Sequence, residues 1–327
     1  MKRALRPTAL LLIIVLILNL FVIINIGAIS IAQPNIISVD INKKEAYSSI
    51  QEAINNAEEG STIHIKSGIY TEVLNIKKKI TLLGENKEKT IINPISEKNK
   101  YGIRLGSPDI IIKNLTISNG GPGLYTTGIK VVASNVKVED CNIFDTPVGI
   151  AIFTSNNTIK NCEFWGCRDE GIALIGTPYS ECHRNEIINC KFYNNCDGIE
   201  LQYSSENLII NCEFFDNTHS GIDTISSSND RNQIINCKIY NNEVHGIYLH
   251  SSSYNQINNC MISNNKDGDI VEVKNSINNE ITNTFDEQVE NNIRQTLINF
   301  LRFFQQRYTK ARIIIESIFY TYKNLYF

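Results

Sequence analysis

Two carboxylates, Glu200 and Asp223, each follow a Gly-Ile pair, and Tyr248 follows the next such pair. Just before the glycines stand Asp169, Glu170, Asp197, His219 and His245, and two positions beyond the carboxylate slot come Gln202 and His250. If the Gly-Ile pairs lie on stacked strands, Glu200 and Asp223 occupy one slot on neighbouring rungs, with backbones about 5 Å apart. Carboxylates that close cannot both ionise freely, and raising one pKa supplies a general acid beside a base or nucleophile. The spacing suits a retaining glycosidase better than an inverting one, which needs about 6.5–9.5 Å between carboxyls. A lyase or epimerase would instead use His219 or His245 as base and Tyr248 as proton donor. A substrate carboxylate would then be neutralised by Arg168, by Arg231, or by a Ca²⁺ held by Asp197, Glu200 and Asp223. Asp197, Gln202, His250 and Arg168 fall to substrate binding, and no residue is assigned as a resident metal ligand.

The elements that must position these side chains are written as a repeat. GIELQYSSENLIINCEFFDN, GIDTISSSNDRNQIINCKIYNN and GIYLHSSSYNQINNCMISNN follow one another between Gly198 and Asn265. The Cys position is filled by Leu115, Cys141, Cys162, Cys190, Cys212, Cys237, Cys260 and Thr284, at gaps of 21 to 28 residues, and an Asn or Asp precedes each. A period in the twenties, built of short alternating apolar runs and Asn/Gly/Ser turns, marks a solenoid of strands. The residue before the Cys interrupts alternation and reads as a bend, since Asn tolerates left-handed backbone angles. Stacked Asn amides can also bond from rung to rung. Gly-Ile or a close variant starts at Gly102, Gly128, Gly149, Gly171, Gly198, Gly221 and Gly246, with Gly268-Asp-Ile after them; Ile points inward and the next residue outward. The outward file is then Lys130, Ala151, Ala173, Glu200, Asp223 and Tyr248, and a second is Phe153, Ile175, Gln202, Ile225 and His250.

This repeat resembles the right-handed parallel β-helix of the pectin-lyase-like superfamily, and its form is most similar to NosD-type extracytoplasmic β-helix proteins. The resemblance covers roughly residues 36 to 286. The string SGIYTEVLNIKKKITLLGE, Ser67 to Glu85, is similar to the entry segment of NosD-type proteins and pectin methylesterases. It implies an all-β fold, a parallel β-helix solenoid, and not one reaction, because the superfamily includes lyases, hydrolases, esterases, epimerases and adhesins. The Gly-His-Gly and Arg-Ile-Lys motifs of polygalacturonases are missing; the nearest string is Val244-His245-Gly246. NosD-type relatives are linked to copper delivery, which directs attention to Cys182-His183 with Cys167 or Cys196 as a Cu or Zn site, although no two-by-two ligand spacing exists.

The 327 residues carry 31 basic and 34 acidic side chains, so there is no general basic field and nucleic acid is not an expected partner. Six of the nine cysteines form the inward file, where thiols act as small apolar groups. Stacking leaves their Cβ atoms near the rung spacing rather than the roughly 3.8 Å of a disulfide, so a reduced file is expected. Cys167 and Cys196 follow the same strand on neighbouring coils, where one disulfide could join them.

Four segments follow. Residues 1–32 open with Lys2, Arg3 and Arg6 before a long apolar run, which is a signal peptide or a retained membrane anchor and places the rest outside the cytoplasm, secreted or anchored. Residues 36–100 hold an N-terminal cap, with a helix signalled by Ser49-Ile-Gln-Glu52 and the stripe Ile50, Ala53, Ile54 and Ala57 over the open first coil. Strands are expected at 62–66, 73–76, 80–83 and 90–92. Residues 101–286 are the coils, with an insertion GTPYSECHRNE after Gly171. Residues 287–327 read as a basic, aromatic amphipathic helix, either a plug on the last coil or a surface for a membrane or partner. The functional expectation is an extended polysaccharide or surface glycan bound, and cleaved if the face is catalytic, on the acidic and histidine-bearing face. The alternative is a non-catalytic NosD-type or cell-surface structural protein without carbohydrate chemistry.

Overall fold

The computed structural model describes residues 35–42, 47–94, 101–118, 126–180, 182–282, 284 and 295–302. Among them the chain winds as a right-handed parallel solenoid of about ten turns. Each full coil spends one short strand in each of three sheets. The first sheet has eleven strands, from Ile36–Val39 to Glu280–Thr282; the second and third have nine each, ending at Met261–Ser263 and Gly268–Val273. Every pairing between named strands is parallel, and successive coils stack in strict order within each sheet.

The physical basis is the side-chain period of two. The middle residue of each first-sheet strand points inward, as Ile159, Ile187, Ile209, Ile234 and Ile257 do, and second-sheet strands send in Phe164, Phe192, Phe214, Ile239 and Ile262. Removing each such side chain from water stabilises the fold by about 1.5–3 kcal/mol. Phe164, Phe192 and Phe214 stack ring on ring at 4.8 Å, which is the strand spacing itself.

The bend before each Cys is left-handed, as expected: Asn114, Asp140, Asn161, Asn189, Asn211, Asn236 and Asn259 have φ between 53° and 57°. The extra residue turns the chain from the first sheet into the second without tilting the Cys side chain out of the core. All nine thiols are free, and the six of the file are buried. Cys167 and Cys196 are also free, although the Cys196 N–H donates to the Cys167 carbonyl; their shared rung position brings backbones together without joining the sulfurs.

Bend amides pair at some rungs, such as Asn259 to Asn236 at 2.7 Å. The longer amide ladders are elsewhere and buried except at their last members, Asn279 and Asp269. One joins Asn157, Asn185, Asn207, Asn232, Asn255 and Asn279 at the entry to the first sheet, and another joins Asn195, Asn217, Asn242, Asn265 and Asp269 at the exit of the second. At each step a backbone N–H, and usually the side-chain NH₂ too, donates to the next oxygen. Turn backbone that would otherwise be orphaned in the interior is thereby satisfied.

The Gly-Ile positions open the third sheet's strands, and here glycine answers to close approach. A Cβ on Gly198 would stand 2.5 Å from the Gly221 carbonyl oxygen and 2.6 Å from the Phe214 ring. The N-terminal helix, α1, spans Ile50–Asn56 and buries Ile50, Ala53 and Ile54 against the first coil. Ser49 caps it by accepting from the Glu52 N–H at 3.1 Å, while Glu72 accepts from Ser49 Oγ and from the Ile50 and Gln51 N–H groups. Strands form at Thr62–Ile65, Leu74–Ile76, Thr81–Gly84 and Thr90–Ile92, within a residue or so of expectation. Gly68–Tyr70 and Ile36–Val39 are additional.

Contacts divide the chain into Met1–Asn35 and Ile36–Phe327. The expected signal or anchor segment lies outside the described residues, and no helix among the described residues is long and apolar enough to cross a membrane. Of the C-terminal amphipathic segment, 295–302 is helical with Leu297 and Phe300 exposed, and the remainder lies outside the described residues.

Candidate functional site on the third sheet

Register decides which side chains meet. Lys130 pairs with Ala151, Ala151 with Ala173, Ala173 with Glu200, Glu200 with Asp223, and Asp223 with Tyr248. The outward file read from sequence is thus the file observed. The second file likewise pairs Ile175 with Gln202 and Gln202 with Ile225.

Along this face the side chains fall into three groups. Upstream, a groove of about 500 Å³ has Lys130 among its lining residues, together with Glu170, Glu200 and Gln202. Part of its lining is apolar, from Val148, Ala151, Ala173, Phe153 and Ile175, which pack together on the outer surface. The Lys130 ammonium stands 4.9 Å from the Phe153 ring centroid.

The second group draws on Glu200's own strand through Asp197 and on the next coil through His219 and Asp223. Asp197 Oδ1 is 2.8 Å from His219 Nδ1 and accepts from the Ser220 N–H at 2.7 Å, and Asp223 Oδ2 is 3.7 Å from the same imidazole nitrogen. Asp197 and Asp223 are each 5 % exposed, whereas the His219 side chain is 41 % exposed. The third group is a stack. His245 lies on Tyr248 at 4.7 Å, His250 is 6.4 Å from Tyr248, and His219 meets His245 edge-on at 6.4 Å. The Nδ1 atoms of His245 and His250 are buried without hydrogen-bond partners.

Burial is the largest influence on the three carboxyl groups and on His245, ahead of mutual charge. It pushes Glu170 up to about 9, helped by Glu200 and Asp169, and Glu200 up to about 7, helped by Asp197 and Asp223. Asp223 rises to about 6, again through burial first and then Asp197. His219 is raised by its hydrogen bond to Asp197, while burial and the neighbouring His219 lower His245. The two shifts run in opposite directions, His219 toward the protonated form and His245 toward the neutral imidazole that a base requires.

The family model described as "right handed beta helix region" matches residues 80–229 and 179–286. The chain belongs to the right-handed β-helix family. No curated protein matches its sequence. Among solved structures, this β-helix is similar to an alginate lyase from Paenibacillus sp. (TM-score 0.60, 16% identity, 77% of this chain and 98% of that one). It is also similar to a rhamnogalacturonan lyase (TM-score 0.57, 16% identity, 76% and 87%) and a pectin methylesterase from Aspergillus niger (TM-score 0.52, 14% identity, 78% and 87%). At such identities the shared property is the fold.

The β-helix brings together most of the residues singled out from its sequence, but not as one pocket. Glu200 and Gln202 line the groove; Asp197, His219 and Asp223 converge; His245, Tyr248 and His250 stack. Arg168 is exposed on a turn and is not part of the groove lining, and Arg231 stands at the turn into the first sheet with its guanidinium 5.7 Å from the Tyr254 ring. The cation in the groove is Lys130, which the outward file already contained and which the acids downstream overshadowed. His219, not Glu200, completes the set whose donor atoms converge with Asp197 and Asp223, all within 4.8 Å of one another. Cys182 is fully buried, its Sγ directed to the Ile152 carbonyl, so the Cys182-His183 pair is not an exposed ligand pair.

Proposed function

We propose that this β-helix binds an extended, uronate-containing polysaccharide along the outer face of its third sheet. The observation that carries the reading is the groove, whose lining combines one cation, Lys130, with the carboxyl groups of Asp169, Glu170 and Glu200 and a set of apolar side chains. Lys130 would neutralise a sugar carboxylate, the apolar side chains would meet the hydrophobic faces of pyranose rings, and Glu170 and Glu200, held up to about 9 and 7, would donate hydrogen bonds. A polymer suits a surface whose side chains recur at every rung, about 4.8 Å apart. Lysine and arginine followed by an apolar run at the chain's start support a site outside the cytoplasm, secreted or anchored.

Cleavage is the second reading. It is favoured by Glu200, which faces the groove with a carboxyl that exchanges its proton near neutral pH, as a general acid must. The group that activates water or attacks would come from Asp197 on the same strand, or from His219 and Asp223 on the next coil. A panel of uronate polymers and neutral glycans tests both readings, with binding by calorimetry and cleavage by product analysis. Binding confined to acidic polymers is expected, and Glu200→Gln should abolish any turnover while keeping binding. Binding to none of them would overturn the reading in favour of a structural role.

A further inference from the structure

Asp197, His219 and Asp223 present two carboxylate oxygens and an imidazole nitrogen whose mutual distances all lie within 4.8 Å. Independently, Asp223 is 5 % exposed and its Oδ1 is buried with no hydrogen-bond partner, while the other oxygen faces His219 Nδ1. An ionised carboxylate left that way costs free energy that a coordinated cation would recover. Neighbouring strands hold the set: the Asp197 strand, Asp197–Gln202, and the Asp223 strand, Ile222–Ile225, are paired in register, and His219 sits in the turn that leads from Glu213–Phe215 into the Asp223 strand. The backbone is therefore fixed before any ion arrives, and the half-exposed imidazole leaves an entry path.

We infer that Asp197, His219 and Asp223 form a binding site for one divalent transition-metal ion of the Zn²⁺ class. The donor set selects that class. Two carboxylates and an imidazole suit Zn²⁺ and its neighbours in the first transition row, whereas Ca²⁺ seeks six to eight oxygens. Three protein ligands leave at least one coordination position open. Glu200 shares a strand with Asp197 and is paired in register with Asp223, so the ion site lies beside the groove that Glu200 lines. His219 Nδ1 stands 2.8 Å from Asp197 Oδ1, so the geometry the ion would take over is already held. The site stands independently of the polysaccharide reading, since an ion would bind with or without a glycan.

The test is calorimetric titration of the full chain with ZnCl₂ and separately with CaCl₂, together with ligand-field absorption of the Co²⁺-loaded protein. Wild type and His183→Ala should each bind one Zn²⁺ at the site. His219→Ala and Asp223→Asn should lose that binding and the Co²⁺ absorption bands, with far-ultraviolet circular dichroism unchanged. Asp223→Asn is nearly isosteric and His219 is half-exposed, so both variants should fold. No Zn²⁺ binding by wild type, binding undiminished in both site variants, or a preference for Ca²⁺ over Zn²⁺ would overturn the inference.

Discussion

Asn207 donates twice to one atom: its backbone N–H and its side-chain amide reach the same Oδ1 of Asn232, at 2.9 and 3.0 Å, on the next coil. The relationship repeats up the solenoid, so each turn is closed by a group on the following one. Coils are thus coupled through their turns as well as their strands.

Replacing Asn232 by Ala strands the Asn207 backbone N–H and the Ser204 carbonyl that Asn232 itself serves at 3.1 Å, and leaves the Asn207 side-chain amide with only its bond to Ser204 Oγ. Each buried group left unpaired costs about 1–3 kcal/mol, so a loss of roughly 3–5 kcal/mol is expected. Asn236→Ala, at an exposed left-handed bend, should cost only about 1–2 kcal/mol. Urea denaturation of the two variants checks the ranking.

Phe192 lies between Phe164 and Phe214 in the interior stack. Phe192→Ala should destabilise by about 3–5 kcal/mol, because a strand-locked cavity cannot collapse. Gly198→Ala should be harmful too, since the added methyl meets the Gly221 carbonyl and the Phe214 ring. Thermal unfolding measures both.

Glu170 carries a pH signature. Its carboxyl ordinarily titrates near 4.5 and is pushed up to about 9 in the fold, so between those values the unfolded chain has lost a proton that the folded chain keeps. Stability from this group is therefore full below about 4.5 and falls as pH rises toward 9. Glu170→Gln should melt higher than wild type at pH 8 and near it at pH 4.5, as read by calorimetric melting.

Lys130→Gln should weaken binding of an acidic polysaccharide roughly 10- to 100-fold, the loss expected for one charge-assisted contact. Affinity for neutral glycans should not change. Calorimetry at two salt concentrations checks it, with the wild type losing affinity more steeply as salt rises.

Thiol reactivity reports the cysteine file. Burial pushes Cys167 up to about 12 and Cys182 and Cys196 to about 11, and it holds Cys141 and Cys162 well above the ordinary thiol range. A disulfide reagent at pH 7.5 should label at most the partly exposed Cys196 in the native chain, and all nine cysteines after unfolding.

The coil was legible in the sequence because parallel stacking repeats one local rule. A bend residue before each Cys and an inward Ile after each Gly set the period and the in-out alternation, and those in turn set which residues are rung neighbours. Glu200 beside Asp223 follows from counting alone. The buried Asn ladders were harder to see, since their members, such as Asn185 and Asn207, resemble ordinary turn asparagines until the turns are closed around them. Side-chain direction and burial were decided only in three dimensions. The turn placed His219 between two aspartates rather than beside His245 in one file, packing raised Glu170 and Glu200, and the apolar outward residues opened a groove next to Lys130. Backbone register depends on spacing along the chain, whereas a rotamer, a desolvated carboxyl or a groove depends on what neighbouring coils leave uncovered.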